Sequence, residues 1–397
     1  MFSLEVKKDL TAGFAAAFGR QPQRWFSAPG RTEIGGNHTD HQRGRVLAAA
    51  VDLDTRAAVA CGGDEIRVLS KGYPLCTVSL KDLAPKPEEV GTTAALIRGV
   101  AAGFANLGCR LEGFDAYVTS TVLPGSGLSS SAAFEVLMGT VINALFFEGR
   151  ATAEQIAAIG QYAENVYFGK PCGLMDQMAS AVGGLVAIDF ADPEKPEVRP
   201  VDYDFAACGH ALCILDSGAD HADLTAEYGA IPAEMGAIAG FFGKEVLSQV
   251  EEGAFFAAIP QLRRACGDRA VLRALHFFGE TRRAQSQAET LERGDFPGFL
   301  ELVKESGRSS WLYLQNVTVP GAADQSLALT LAVCQDALEG RGACRVHGGG
   351  FAGTVQAFVP LEILDAFRAR MESVLGEGRC HVLHIRPQGG AEWREGL

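Results

Sequence analysis

Apolar positions recur along this chain at two spacings, and the switches between them mark its elements. In FDAYVTSTVL, Phe114, Ala116, Val118, Ser120 and Val122 fall on one face at every second position, the pattern of a half-buried strand. TTAALIRGVAAGFANLG reads instead as a helix, with Thr92 or Thr93 as its N-cap and Gly108 just past its end. Residues 8–18 form a shorter helix closed by Gly19, and residues 46–60 and 65–69 have strand character. A Gly/Ser loop then opens a long apolar helix. Thr152 and Gln155 make a capping box for the next one, which stops at Gly169 with Pro171 behind it. The second half repeats the mixture. It holds a strand in ALCILDS, helices over 232–251, 256–293 and 296–312, and strands at TVQAFVP and CHVLHIRP.

A chain of 397 residues is too long for one simple core, so two domains are expected. ADPEKPEVRP is its most polar, proline-rich passage and places the boundary near residue 200. The domains are then 1–200 and 201–397, with the final strand free to return to the first. No internal repeat or low-complexity segment interrupts this plan.

Charge and cysteine usage narrow the function. A net charge of −13 argues against nucleic acid and anionic membrane, which require a positive footprint. A small anionic ligand stays open, because local cations can outweigh the global sign. The ten cysteines contain no C-x-x-C, and the nearest two, Cys208 and Cys213, are five apart. Cys61 and Cys334 lie in apolar runs, where the residue behaves as a small hydrophobe. MFSLEVKKDLTAGF lacks the apolar core of a signal peptide, and no run approaches membrane-spanning length. A reduced, cytoplasmic enzyme is the expectation.

Four stretches carry chemistry. LPGSGLSSSAAFEV, residues 123–136, joins a strand, a Gly/Ser loop and a helix start. Gly125 and Gly127 let backbone approach an anion, and free N–H groups at the helix start point towards it. Three consecutive serines add hydroxyls. A serine-rich N-cap on a glycine turn is the plainer alternative, but the strand before and the long helix after favour phosphate. It is not a Walker A loop, since no G-K-[ST] follows, and the kinase signatures H-R-D and D-F-G are missing.

HGGGFAGTVQAFV matches G-x-G-x-x-G from Gly348 to Gly353, yet it precedes a strand, which argues against a dinucleotide fold. It reads as a loop whose backbone approaches a ligand or another loop, with a plain glycine hairpin equally open. In AENVYFGKPCGLMDQMAS, Asp176 falls in a first helical turn, where complementing the helix dipole is the ordinary role. Glu164 continues the apolar line of Ile156, Ile159 and Ala163; taken alone, a solvated position is the ordinary reading. Finally, GRTEIGGNHTDH sets Arg31, Glu33, Asn37, His38, Asp40 and His41 on a short connector just before the apolar VLAAAVDLDTRAAVA.

Together these stretches resemble the GHMP kinase family, and within it the galactokinases. That family shows A-P-G-R…G-E-H-T-D-Y, P-x-G-x-G-L-S-S-S-A, G-x-P-C-G-x-M-D-Q and G-G-G-F-G-G. Residues 28–44, 124–132, 169–177 and 348–353 correspond in order and spacing. Weaker similarity joins ALHFFGETRRAQ…LERGDF…LVKESGRSS to the family's second domain. The resemblance implies an α+β (α/β two-layer), two-domain GHMP kinase fold with the active site in the cleft between domains. It implies ATP-dependent, magnesium-dependent phosphorylation of D-galactose at its anomeric hydroxyl, giving α-D-galactose 1-phosphate, by a monomer acting on a small sugar.

On that resemblance, Pro124, Gly125, Ser126, Gly127, Leu128, Ser129, Ser130 and Ser131 hold the ATP phosphates. Ser131 and Glu164 are the magnesium ligands, hard oxygens of the kind magnesium takes. Asp176 is the base for the anomeric hydroxyl, and Arg31 lowers its pKa and balances charge. His38, Asp40, Gly173 and Tyr228 match sugar contacts, and Asn37 stands where the family's Glu reaches towards the far end of the sugar. The polar connector thus supplies the paired donors and acceptors that hydroxyl recognition needs.

The departures fall in the same place. G-E-H-T-D-Y reads GNHTDH, with Asn37 for Glu and His41 for Tyr, and TEIG replaces V-N-L-I, leaving Glu33 without a role. An Asn lacks a carboxylate's charge-assisted hydrogen bonds, so looser selectivity at that end is expected. Two alternatives follow: the same chemistry on N-acetylgalactosamine, L-arabinose or a related sugar, or a sugar- and ATP-binding sensor that does not catalyse.

Overall fold

In chain order the first half runs α1 (Leu4–Phe18), β1 (Arg24–Gly35), β2 (Arg45–Cys61), β3 (Glu65–Ser70), β4 (Cys76–Ser79), α2 (Thr93–Asn106), β5 (Phe114–Ser120), α3 (Ser130–Phe146), α4 (Ala153–Tyr162), α5 (Met175–Val182), β6 (Leu185–Asp189) and β7 (Glu197–Pro200). The second runs β8 (His210–Asp216), α6 (Thr225–Phe241), α7 (Glu252–Ala265), α8 (Asp268–Glu292), α9 (Phe296–Ser309), α10 (Ser326–Leu338), β9 (Ala343–His347), β10 (Thr354–Pro360), α11 (Leu364–Leu375), β11 (Cys380–Leu383) and β12 (Ala391–Glu392). This computed structural model describes residues 3–122, 127–193, 195–218, 224–351 and 353–393.

The larger sheet follows the order β12-β1-β2-β5-β3-β4, with β6 on the first part of β2 and β7 beyond it. The smaller sheet is β11-β8-β10-β9. β2 is covered on both faces, which explains its run of alanines. Val46 and Ala48 join Phe104, Val136 and Met178 beneath α2–α5, whereas Leu47, Ala49 and Val51 join Leu291, Phe299 and Phe358 from α8, α9 and the smaller sheet. Phe299 and Phe358 meet edge-on with centroids 5.0 Å apart. Fully burying such a ring is worth about 1.5–3 kcal/mol. This second core bridges the two sheets, and β12 pairs back onto β1.

Several elements differ from the expectation for physical reasons. Strand β5 is covered on both faces, because Asp115 is buried between Arg20 and Arg67 at 2.7 and 2.6 Å. Its polar alternation therefore hides a second packed face. The helix expected over 256–293 breaks into α7 and α8 at Gly267, whose φ of +89° a side chain tolerates poorly. The one expected over 232–251 is α6, which begins earlier and ends at Phe241 with Pro232 inside it. The helix expected to stop at Gly169 does stop there, but its last six residues, Ala163–Phe168, form a π-helical turn. Thr92 caps α2, and the capping box of Thr152 and Gln155 is formed. All ten cysteines are free, and no helix among the described residues is long and apolar enough to cross a membrane.

Candidate active site

The register of β1 against β2 shifts between Pro29 and Arg31. Pro29 has no N–H for the ladder, and a Cβ at Gly30 would come 3.0 Å from the carbonyl oxygen of Leu128. The irregularity lets the segment before α3 draw alongside: Arg31 N donates to Leu128 O at 3.1 Å, and its guanidinium Nη1 donates to Gly127 O. The remaining fork grips Asp176, Nε to Oδ1 at 2.7 Å and Nη2 to Oδ2 at 2.6 Å. Burial alone would raise the pKa of Asp176. The charge and hydrogen bonds of Arg31, with the Ser129 hydroxyl, outweigh burial and hold the carboxyl below its usual range. Ser129 is spared for this because, at φ +55°, its side chain does not cap α3.

Ser130 and Ser131 open α3, whose first N–H groups lack helical partners. Gly127 is wedged in place, since a Cβ there would stand 3.0 Å from both His347 Nδ1 and Thr354 Oγ1. Pro124, Gly125 and Ser126 lie outside the described residues. The Ser131 hydroxyl donates to Glu164 Oε1 at 2.9 Å. Glu164 is buried in the π-helical turn, which corrects its ordinary reading as a solvated carboxylate. Lys170 Nζ reaches Oε1 at 3.3 Å, and Gln177 Nε2 donates to Oε2 at 2.9 Å. The same amide donates to Glu135 Oε2 at 2.9 Å, a fully buried group that burial and the Glu164 charge drive well up in pKa. Ser131 and Glu164 form a pair of hard oxygens, the donor chemistry that could hold magnesium. Among the described residues, no cluster of three or more His, Cys, Asp or Glu is arranged to hold a metal.

The connector after β1 is held from below by α8. Gly36 N and Asn37 N donate to Glu280 Oε1 at 3.2 and 3.4 Å, and His276 Nε2 donates to Asn37 O at 2.9 Å. Burial pushes Glu280 up, but the cations around it, Arg283 above all, bring it down to about 2. Burial also lowers His38 to about 4 and His41 to about 3, so both rings are neutral at pH 7. Neutral imidazoles carry one N–H each, and the contacts then run one way. Gln42 Nε2 donates to His41 Nδ1 at 3.4 Å, His41 Nε2 to His38 Nδ1 at 3.3 Å, and His38 Nε2 to Gly349 O at 3.1 Å.

That last contact belongs to a set. Asn37 Nδ2 donates to Gly348 O at 2.6 Å, Asn316 Nδ2 to Gly349 O at 3.1 Å, and Tyr228 OH to Gly350 O at 2.8 Å. Three side chains expected to face the sugar therefore each hold one carbonyl of the glycine loop between β9 and β10. Asn37 has no exposed surface, and its Oδ1 accepts from Asn316 Nδ2 at 2.9 Å. Its side chain faces protein instead of an open cleft, because every donor and acceptor it has is taken up internally.

Asp40 closes over Gly173 and accepts from His41 N at 2.9 Å. Burial, then the neighbouring Asp176 charge, push its pKa up to about 7. Glu135, Gln177, Glu280, Asn316 and Arg345 were given no role from sequence, although the first three sit inside stretches that carry the resemblance. The site lies on the seam where β1 and its connector meet the loop between β9 and β10.

Known proteins resemble this chain over nearly its whole length. The family model for the galactokinase galactose-binding signature matches residues 12–61, and that for the GHMP kinase N-terminal domain matches residues 95–184. A galactokinase of Streptomyces coelicolor is 32% identical over 386 residues, 95% of this chain and 96% of that protein. The crystal structure of Lactococcus lactis galactokinase complexed with galactose superimposes with a TM-score of 0.83 at 24% identity, covering 98% of this chain and 100% of that one. A mevalonate kinase from Methanococcus jannaschii shares the fold at a TM-score of 0.64 and 14% identity, covering 91% of this chain and 98% of its own.

Proposed function

The chain belongs to the galactokinase family, and from that premise we propose how its residues divide the work. The protein is a kinase that phosphorylates D-galactose with ATP. Asp176, ionised and clamped by Arg31, takes the proton from the anomeric hydroxyl. That oxygen bonds to the terminal phosphorus of ATP while the bond to the ADP oxygen breaks, giving α-D-galactose 1-phosphate, ADP and a proton. Arg31 fixes the carboxylate and offsets negative charge as the phosphoryl group passes.

The segment from Gly127 to Ser131, which leads into α3, supplies N–H and hydroxyl donors for the phosphates. Magnesium, when bound, neutralises phosphate charge; Ser131 and Glu164 would hold it. Asp40, resting on Gly173, takes ring hydroxyls, with His38 and Tyr228 as further sugar contacts. Asn37 stands one layer behind and secures Gly348. Ten free cysteines fit a reducing compartment, the cytoplasm.

The observation that carries this reading is the bidentate Arg31–Asp176 pair beside an anion-binding helix start. The test is kcat/KM with ATP for galactose, glucose, N-acetylgalactosamine, 6-deoxygalactose and L-arabinose. Galactose should rank first, and its 4-epimer glucose should fall far behind, since a site built for one hydroxyl rejects its inversion by up to about 10⁴–10⁵. Another sugar ranking first would replace the substrate and keep the kinase. Binding of ATP and sugar with no turnover would leave a sensor.

A further inference from the structure

Two departures from the family motif become one in three dimensions. Where the motif reads R-V-N-L-I-G-E-H, this chain reads RTEIGGNH: Glu33 replaces Asn, and Asn37 replaces Glu. The turn at Gly36, φ +92°, folds these positions onto each other, so that Asn37 Nδ2 lies 3.1 Å from Glu33 Oε1 and 3.3 Å from Oε2. We propose that this chain has exchanged the carboxylate and the carboxamide as a unit, and that the Glu33–Asn37 pair positions the glycine loop bordering the sugar. The proposal rests on the galactokinase reading above.

Charge balance supports it. Arg345 on β9 is wholly buried and donates Nη2 to both Glu33 Oε1 and Glu33 O at 2.7 Å. Its Nε and Nη1 find no hydrogen-bond partner among the described residues, so Glu33 is the carboxylate that hydrogen-bonds this guanidinium, while Glu280 feels its charge from nearby. Removing the Glu33 carboxylate would leave this buried cation without its hydrogen-bonded anion, a costly change. With Glu33 in place, position 37 accepts only an amide. One amide hydrogen serves Glu33 and the other Gly348 O, while the amide oxygen accepts from Asn316. A carboxylate there would set two buried anions together and turn an acceptor towards the Gly348 carbonyl.

The neighbouring position is refitted too. Gly35 stands where the motif has Ile, and a Cβ there would lie 1.7 Å from Gln287 Oε1. The end of β1 thus fits its surroundings as a set, and the looser selectivity expected from losing the Glu at position 37 does not follow.

The test is a four-member cycle of wild type, Glu33→Asn, Asn37→Glu and the double variant, read by Tm and by separate KM values for galactose and ATP. Each single variant should lose about tenfold or more in kcat/KM for galactose, and the double should recover at least about tenfold over the worse single, as expected of residues in contact. The single losses should lie in the galactose KM, with the ATP KM unchanged. A general loss of fold would move both. Should a single variant fail to fold, a double variant with Tm near wild type reports the same coupling. Losses that simply multiply, in Tm and in kcat/KM, would overturn the exchange, as would a fully active Asn37→Glu. The Tm coupling needs no substrate, so a wild type inactive on galactose that still shows it counts against the substrate reading alone.

Discussion

Asp40 closes so tightly over Gly173 that a Cβ added to the glycine would stand 1.7 Å from Asp40 Oδ2. The backbone of Gly173 has no left-handed φ, so the demand here is for space. Gly173→Ala should therefore displace the Asp40 carboxylate and raise the galactose KM by about tenfold or more, within the range that misplaced binding groups show. The ATP KM should hold. An unchanged galactose KM would remove Asp40 from the sugar site.

The pKa of Asp40 gives a pH signature. Burial and the Asp176 charge raise it from 3.8 to about 7. Between those values the folded protein holds a proton that the unfolded chain has lost, so this group's contribution to stability falls as pH rises and is gone above pH 7. Sugar binding runs the other way, because an ionised Asp40 can accept two hydroxyls. kcat/KM for galactose should rise through a transition near pH 7, and Asp40→Asn should flatten it. Asp176, held below its usual range, contributes no transition there. A wild-type profile flat from pH 6 to 8 would contradict the assignment.

Ser131 and Glu164 should reveal themselves in a magnesium titration. Ser131→Ala and Glu164→Gln each remove a hard oxygen, and the second also removes charge, so both should raise the magnesium needed for half-maximal activity, Glu164→Gln more. A Glu164→Gln curve superimposed on wild type would return that carboxylate to a structural role shared with Lys170 and Gln177.

How much of this was legible in the chain depends on the range of the interaction. Caps and turns such as Thr92, the Thr152 box and Gly169 are local, and their signals held. The breaks inside the second-half helices were less visible, because Pro232 and Pro260 both sit within helices while Gly267 alone marks the break. The family resemblance pointed to Arg31 and Asp176, 145 positions apart, as neighbours. What the resemblance could not supply was the partner without a motif. Arg345 reaches Glu33 from 312 positions away, and Asn316 reaches Asn37 from 279. Without them, Asn37 reads as a weakened sugar contact and Glu33 as an orphan, although the two residues explain each other.

Asp176, clamped by Arg31, is proposed as the base for phosphoryl transfer to galactose. Asp176→Asn keeps the shape and removes the charge that Arg31 answers. The measurement is kcat with saturating galactose and magnesium-ATP, alongside calorimetric binding of galactose to the same variant. kcat should fall by about 10²–10⁴, the usual contribution of a general base, with galactose still bound. Retention of more than half the wild-type kcat would contradict the assignment of Asp176 as the base.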